Sequence, residues 1–472
     1  MDHPAKQLPP SPKTDTAFTG ATALRSVPDD RSIDRRPNVV LVHCHDLGRY
    51  LGCYGRPIET PNIDAIAANG TRFERYFAAS PTCSPSRASM YTGQYPREHG
   101  VMGLTHLGWD LDPGVRTLPD YLGDAGYETH LFGTRHASRW PDRLGYDDYH
   151  GYDERNEGEH DIHQRVETFA DAFGEFDDPF LATIGFNSPH RPFRKDIVSE
   201  VEYDRYDPDE IEVPPFLSDT DDVRADLAEF TALMTHGLDP AVGGVRDAIR
   251  ENGLAEDTLL VFTTDHGVDF PGAKETGRDH GLGIALLAEH PDLPDGAVND
   301  DLLCNVDLLP TLLDLAGGDV PTGLDGRTFL PAIEGRPYQA RAHVYAEGTW
   351  HGGRPKPFRG VRTDRFRYVE NYLTDQLRAD QPEEELYDLR DDPHERENLA
   401  SDRSRDMGPP VFLDGPWESR EPPSEPDPEY EDVLDALRRR LHHWMVATDD
   451  PLVEGTLPLP NHECARLPNP RN

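Results

Sequence analysis

Asn38-Val39-Val40-Leu41-Val42 is an unbroken apolar run that passes directly into His43-Cys44-His45-Asp46-Leu47-Gly48. Apolar residues at successive positions, without polar alternation, mark a strand buried on both faces. Such a strand belongs inside a sheet covered by helices on each side. The pattern then recurs. Thr60-Pro61 opens a short helix, with Thr60 as cap and Pro61 in the first turn. A helix near 117–125, a strand at 129–132, a helix near 163–173 and a strand at 180–186 follow. A long amphipathic stretch at 221–252 precedes strands at 258–263 and 283–288 and a helix at 306–315. This alternation predicts an α/β fold, a large mainly parallel sheet sandwiched by helices. Reactive groups then gather at the carboxyl ends of the strands.

Beyond about residue 340 the texture changes. Segments 343–347, 358–363 and 366–369 read as short antiparallel strands, and Glu385-Leu386-Tyr387-Asp388-Leu389 leads into Asp392-Pro393-His394-Glu395. A Pro/Glu/Asp-rich stretch at 406–428 precedes a last helix near 432–446. Residues 1–36 lack an apolar period and read as a mobile tail. The expected organisation is a tail (1–36), a principal catalytic domain (37–340) and a smaller C-terminal α+β subdomain (341–472).

Charge narrows the partners. With 88 acidic against 47 basic residues the 472-residue chain carries a formal charge of −41. Lys6, Lys13, Lys195, Lys274 and Lys356 are its lysines. An acidic, Lys-poor surface suits a salt-rich, halophilic cytoplasm, and it repels nucleic acid and anionic lipid. An anionic substrate would need a locally positive site. Five scattered cysteines imply no disulfide framework and no structural zinc. With no secretory core and no run of membrane-spanning length, the expectation is a cytoplasmic protein with neither nucleic-acid nor membrane partners.

The chemistry-bearing residues fall in one pattern. His45 and Asp46 follow the first strand, Thr134-Arg135-His136 another, Ser188-Pro189-His190 a third, and Asp265-His266-Gly267 a fourth. To these are added Cys83-x-Pro85-x-Arg87 at a predicted helix start, ending in Thr92-Gly93, and Lys274 eight residues beyond His266. Each alone has a bland reading: a bonded structural histidine, a turn, a small buried thiol, a solvated lysine. Repetition at one strand end after another points instead to a shared metal-assisted site.

These segments resemble the sulfatase family of the alkaline phosphatase superfamily. The resemblance spans Pro37–Gly48, Thr60–Gly70, the Cys83 block with Gly93-Gln94-Tyr95-Pro96, His99-Gly100, Gly133–His136, Pro189-His190, Thr258–Gly267 and Leu386–Leu399. Within the family the layout is similar to the heparan N-sulfatase (sulfamidase) branch, through Phe270-Pro271-Gly272-x-Lys274, His443-Trp444 and Asp449-Asp450-Pro451. The resemblance implies oxidation of Cys83 to formylglycine by a formylglycine-generating enzyme. It also implies hydrolysis of a small-molecule or saccharide sulfate ester or sulfamate. By position, His45, Asp46, Asp265 and His266 would hold one divalent metal. Arg87 would support the formylglycine with His136 beside it, His190 would protonate the leaving atom, and Lys274 would bind a sulfate oxygen.

The chain departs from the family in three places. His45 stands where Asp is usual, His266 where Asn is frequent, and Thr134 where Lys is expected. Calcium is the family's default, whereas two imidazoles suit manganese or zinc, so the metal stays open. Arg135 offers a substitute charge from a neighbouring position. His43, on the same pleat face as His45, is either a supporting partner or a further ligand. Two rival readings follow: a phosphoester or phosphonate monoester hydrolase, and a non-catalytic anion-binding relative.

Overall fold

The computed structural model describes residues 33, 36–150, 162–172, 176, 179–193, 203–372, 382–400 and 430–460. Most of the expected tail and the 406–428 stretch lie outside them. In chain order the strands begin β1 (Asn38–Cys44), β2 (Gly70–Phe73), β3 (Tyr76–Phe77), β4 (Glu128–Gly133), β5 (Asp148–His150), β6 (Phe180–Gly185) and β7 (Thr258–Thr264). They continue as β8 (Gly283–Ile284), β9 (Leu286–Glu289), β10 (Ala297–Asn299) and β11 (Leu303–Cys304). β12 (His343–His351), β13 (Arg354–Thr363), β14 (Phe366–Asn371) and β15 (Glu384–Asp388) complete the series.

The principal sheet has the order β10-β2-β9-β7-β1-β6-β4-β5. β1 runs parallel to both neighbours, Val40 opposite Ala182 on one side and Leu260 on the other. Its apolar run is explained by two cores. Val39 and Leu41 enter one apolar cluster, Val40, Val42 and Cys44 the other, and all are fully buried. β7 divides in the same way, with Leu259 and Val261 against Leu260 and Phe262. A period of two with both faces apolar is what a central strand of a covered sheet requires.

Two expected elements differ. The predicted strand at 283–288 is split at Ala285: β8 joins β11 and β3 in a three-stranded sheet, and β9 enters the principal sheet antiparallel to β7 and β2. The stretch at 221–252 is helical over Asp221–Leu233 and Asp239–Glu251, with a π-helical turn, Met234–Leu238, between them. Pro240 lies just beyond the turn and has no N–H for the ladder, so the wider turn falls where regular bonding is interrupted.

β12-β13-β14-β15 form a separate antiparallel sheet. Its Val361, Tyr368 and Leu386 share a continuous core with Val39 of β1. Leu434, Leu437 and Leu441, from the last helix (Glu431–Ala447), pack into that same core. β1, β4, β6 and β7 are mutually parallel, so the loops that follow them emerge on one side of the sheet. None of the helices among the described residues is long and apolar enough to cross a membrane.

Candidate active site

Of the helices α1 (Pro61–Ala68) and α2 (Cys83–Thr92), the second delivers the thiol. Thr82 is extended, Cys83 begins the first turn, and Gly93 closes the helix with φ 68°. Pro85 falls among the first-turn N–H groups that lack an intrahelical acceptor, so its missing donor costs nothing. Every residue of this polar helix is buried, and its hydroxyls are satisfied by neighbours. Ser89 Oγ lies 3.0 Å from His99 Nε2, and Asn305 Nδ2 donates to Ser86 O at 3.0 Å. Ser86 Oγ donates to Asp265 O. Arg87, one turn on from Cys83, has no solvent contact. Its Nε donates to Asp265 Oδ2 (3.1 Å), its Nη2 to Cys44 O (3.0 Å) and its Nη1 to His43 Nδ1 (2.5 Å). With Nδ1 accepting, His43 carries its proton on Nε2, which meets Tyr91 Oη at 2.9 Å. His43 therefore belongs to the supporting layer.

Around Cys83 the strand-end residues converge. Its Sγ lies 3.3 Å from His266 Nε2 and 3.9 Å from Asp46 Oδ1. His266 Nε2 is 3.1 Å from Asp46 Oδ1, while its Nδ1 donates to Gly267 O at 2.9 Å. Lys274 Nζ reaches Asp46 Oδ2 at 2.8 Å and Asp269 Oδ2 at 3.5 Å. His45 Nδ1 is 3.1 Å from Asp265 Oδ2, and neither of its ring nitrogens has hydrogen-bond geometry to a partner. His190 Nε2 lies 3.9 Å from Asp46 Oδ2, and its Nδ1 donates to Arg191 O at 2.6 Å. His136 sits over His45 with ring centroids 5.2 Å apart. Asp46 and His136 both occupy the left-handed backbone region, φ 52° and 51°. That conformation costs a non-glycine residue about 1–2 kcal/mol and is found where surrounding structure enforces it.

The charges are mutually dependent. Burial raises the Cys83 thiol, but Lys274 and His266 outweigh it and hold it well below its ordinary range. Burial likewise opposes ionisation of Asp46 and Asp265, yet Lys274 lowers the first, and His266 and Arg87 lower the second. Burial lowers His45, with Arg87 acting in the same direction. For His190 burial acts downward but is overcome by Cys83 and Asp46. Ligand atoms of His45, Asp46, Cys83 and Asp265 all lie within 4.8 Å of one another. Two buried ionised carboxylates beside a buried neutral imidazole without a hydrogen bond form a donor set that fits a divalent cation.

All nine residues singled out from the sequence are thus gathered at one end of the sheet. Arg135 is not. Its Nη1 donates to Tyr149 Oη (3.0 Å) and its Nη2 to Arg139 O (2.9 Å), so it does not replace the charge missing at Thr134. Sequence reasoning missed His106, whose ring stacks on His136 at 6.3 Å, and the group Glu275, His351 and Lys356. His351 Nε2 lies 2.8 Å from Glu275 Oε1, and Lys356 pairs with the other carboxylate oxygen. Burial holds His351 down at about 4, with Cys83 acting in the opposite direction. These residues sit in a hairpin and a loop with no periodic signal. A positive φ of 68° at Glu275 is visible only in the folded chain.

Two family profiles match the chain: Sulfatase over residues 37–318, and N-sulphoglucosamine sulphohydrolase, C-terminal, over 276–407. The chain is 28% identical to the N-sulphoglucosamine sulphohydrolase of Homo sapiens, covering 89% of this chain and 92% of that one. It is 25% identical to an ulvan-active sulfatase of Formosa agariphila, covering 91% and 84%. Among solved structures, the phosphonate monoester hydrolase of Agrobacterium radiobacter superposes with a TM-score of 0.68 at 23% identity, over 87% of this chain and 96% of that one. A protein solved with its substrate D-glucosamine-2-N,6-O-disulfate gives 0.67 at 18% identity, over 88% and 99%. With a profile spanning its strand-end cluster and α2 together, the chain belongs to the sulfatase family, a family of hydrolytic enzymes.

Proposed function

We propose that this chain hydrolyses the sulfate monoester or sulfamate of a sulfated saccharide, using formylglycine made from Cys83 by a formylglycine-generating enzyme. One observation carries the reading: Cys83 is buried at the start of α2, 3.3 Å from His266 Nε2, within a cluster of ionised carboxylates and cations. Relatives named for ulvan and N-sulphoglucosamine support a saccharide substrate. Oxidised and hydrated, residue 83 supplies a nucleophilic hydroxyl and a second hydroxyl that lets the sulfated adduct collapse with release of sulfate. His45, Asp46, Asp265 and His266 would hold the metal, which when bound lowers the pKa of the attacking hydroxyl and offsets charge on the sulfuryl group.

The remaining residues act directly. Lys274 stays charged between Asp46 and Asp269 and binds a sulfuryl oxygen. His190, its Nδ1 proton fixed on Arg191 O, presents Nε2 to the leaving oxygen or nitrogen and gives it a proton. His136 lies beside residue 83. Arg87 is a positioning residue that fixes α2 to Asp265. Cations aimed at the spreading negative charge supply the main electrostatic stabilisation. Residues 37–340 form the catalytic part and 341–472 a C-terminal subdomain in this reading. The acidic, Lys-poor composition supports a salt-rich cytoplasm as the working environment.

Mass spectrometry of the residue-83 peptide from the native host, paired with sulfate release from saccharide sulfates, tests this reading. An intact thiol and no released sulfate would overturn it. Imidazoles at positions 45 and 266 favour a second reading, a phosphonate monoester hydrolase. Its test is parallel kinetics on p-nitrophenyl sulfate and a p-nitrophenyl phosphonate ester. A larger kcat/KM for the phosphonate would select it.

A further inference from the structure

A second cluster of bases lies away from the residues assigned to catalysis. Arg49, Arg56 and His280 line a shallow cleft, open to solvent, between Phe216, Asp279 and the backbone at Gly48 and Gly283. None of the nine catalytic and metal-site candidates lines it. In a chain of net charge −41, an excess of guanidinium over carboxylate around one cleft requires a reason.

The usual reason, pairing with carboxylates, accounts for only part of this charge. Arg56 is partly buried, and its side chain has neither a hydrogen bond nor an ion pair among the described residues. Burial and Arg49 both lower its pKa, so the two guanidiniums feel each other. Arg49 donates to Glu74 O at 2.5 Å and lies 3.9 Å from Asp279 Oδ2. That carboxylate is already engaged by Arg362 and Arg367. A Cβ at Gly283 would fall 2.3 Å from Arg49 Nη2, so glycine keeps the room this guanidinium occupies.

His280 completes the cleft, with His394 stacked behind it. His280 is sandwiched between Phe216 (ring centroids 4.0 Å, 17°) and His394 (5.9 Å, 9°). Its Nε2 is buried without a hydrogen-bond partner, as is His394 Nδ1. Burial first, then Arg56, holds His394 below the ordinary imidazole range. His280 is pushed down to about 3, chiefly by burial and against the pull of Asp279. At neutral pH both rings are uncharged and each keeps one N–H to donate. An unpaired Arg56, an Arg49 that shares Asp279 with two other guanidiniums, and the unsatisfied His280 Nε2 give this cleft an excess of positive charge and of donors, suited to a compact, doubly charged oxyanion.

We infer that Arg49, Arg56 and His280 form an oxyanion site for sulfate or phosphate, separate from the catalytic cluster. The anion would relieve the repulsion between the guanidiniums and satisfy His280 Nε2. The site differs from the sulfuryl subsite assigned above to Lys274, and the two are tested together.

Sulfate is titrated calorimetrically into the full chain carrying Cys83→Ala, at roughly 50 mM ionic strength, where screening is modest. Arg56→Gln, Arg56→Lys and Lys274→Ala are added singly in that background. The expected result is two classes of site in the parent. Arg56→Gln should weaken one class at least tenfold, Arg56→Lys should restore much of it, and phosphate should compete for it. Lys274→Ala should leave that class intact and remove the other. If Arg56→Gln, with an unchanged near-ultraviolet circular dichroism spectrum, titrates like the parent, the proposed site is overturned whatever Lys274→Ala does. If only Lys274→Ala is silent, the catalytic assignment of Lys274 fails and this site stands.

Discussion

At the scale of single residues, Arg87 shows what a planar, forked cation does that a point charge does not. One guanidinium serves a carboxylate, a backbone carbonyl and an imidazole nitrogen at once, entirely out of water. Lysine at this position keeps the charge but cannot span three partners. Arg87→Lys should therefore destabilise the fold by about 3 kcal/mol, the scale of breaking a buried ionic network, read from the denaturant midpoint at unchanged slope. His190 belongs to the same scale. Its proposed task is proton delivery, so His190→Gln should lower kcat about 10²–10³-fold on a saccharide sulfate. The loss should be far smaller on p-nitrophenyl sulfate, whose leaving group needs no proton. Equal losses on both substrates would remove His190 from that role. The residue pattern that pointed to the site, polar groups at successive strand ends, was legible because parallel strands share a direction. The orientation of Arg135 was not, since one position along a loop reverses where a side chain points.

Elements meet at Glu395. Its Oε2 accepts the Asp279 N–H at 2.7 Å, and its Oε1 lies 3.0 Å from Arg367 Nε of β14. Burial and the neighbouring Asp279 raise its pKa to about 8, with Arg367 and Arg278 opposing. A carboxyl whose folded pKa lies above its unfolded value holds its proton longer in the native state. The stability it contributes is complete below about pH 4.5 and is lost as pH rises through about 8. Glutamine mimics the protonated form. Glu395→Gln should thus flatten the fall in stability between pH 5 and 8 and leave the variant the more stable at pH 8. Thermal melts across that range check it, and a variant less stable than wild type at pH 8 would contradict the assignment. At this scale the central strands β1, β4, β6 and β7 and the helix Glu431–Ala447 followed from the sequence pattern, while the short strands β2, β3, β5, β10 and β11 were too brief to leave one. The split at Ala285 and the π-helical turn did not, because both depend on partners far along the chain.

Over the whole molecule the excess of acidic residues sets the conditions of work. With a charge of −41, self-repulsion opposes folding and repels an anionic substrate. Screening shortens from about 10 Å at 0.1 M salt to about 3 Å at 1 M. The melting temperature should rise steadily from 0.05 to 1 M sodium chloride, and KM for a sulfate ester should fall over the same range. A melting temperature independent of salt would show that the acidic surface is already compensated. The sequence by itself determined the covered sheet, since a strand apolar at successive positions has no other stable surroundings. It also determined at which end of that sheet the polar cluster gathers, because the polar residues follow parallel strands. Only the tertiary structure decided that Arg87 binds Asp265, Cys44 and His43 at once, that Glu275 joins His351 and Lys356 near Cys83, and that Arg49 and Arg56 line one cleft whose carboxylate, Asp279, is also held by Arg362 and Arg367. Those arrangements are contacts between residues many positions apart, set by packing and charge in three dimensions, and no local periodicity encodes them.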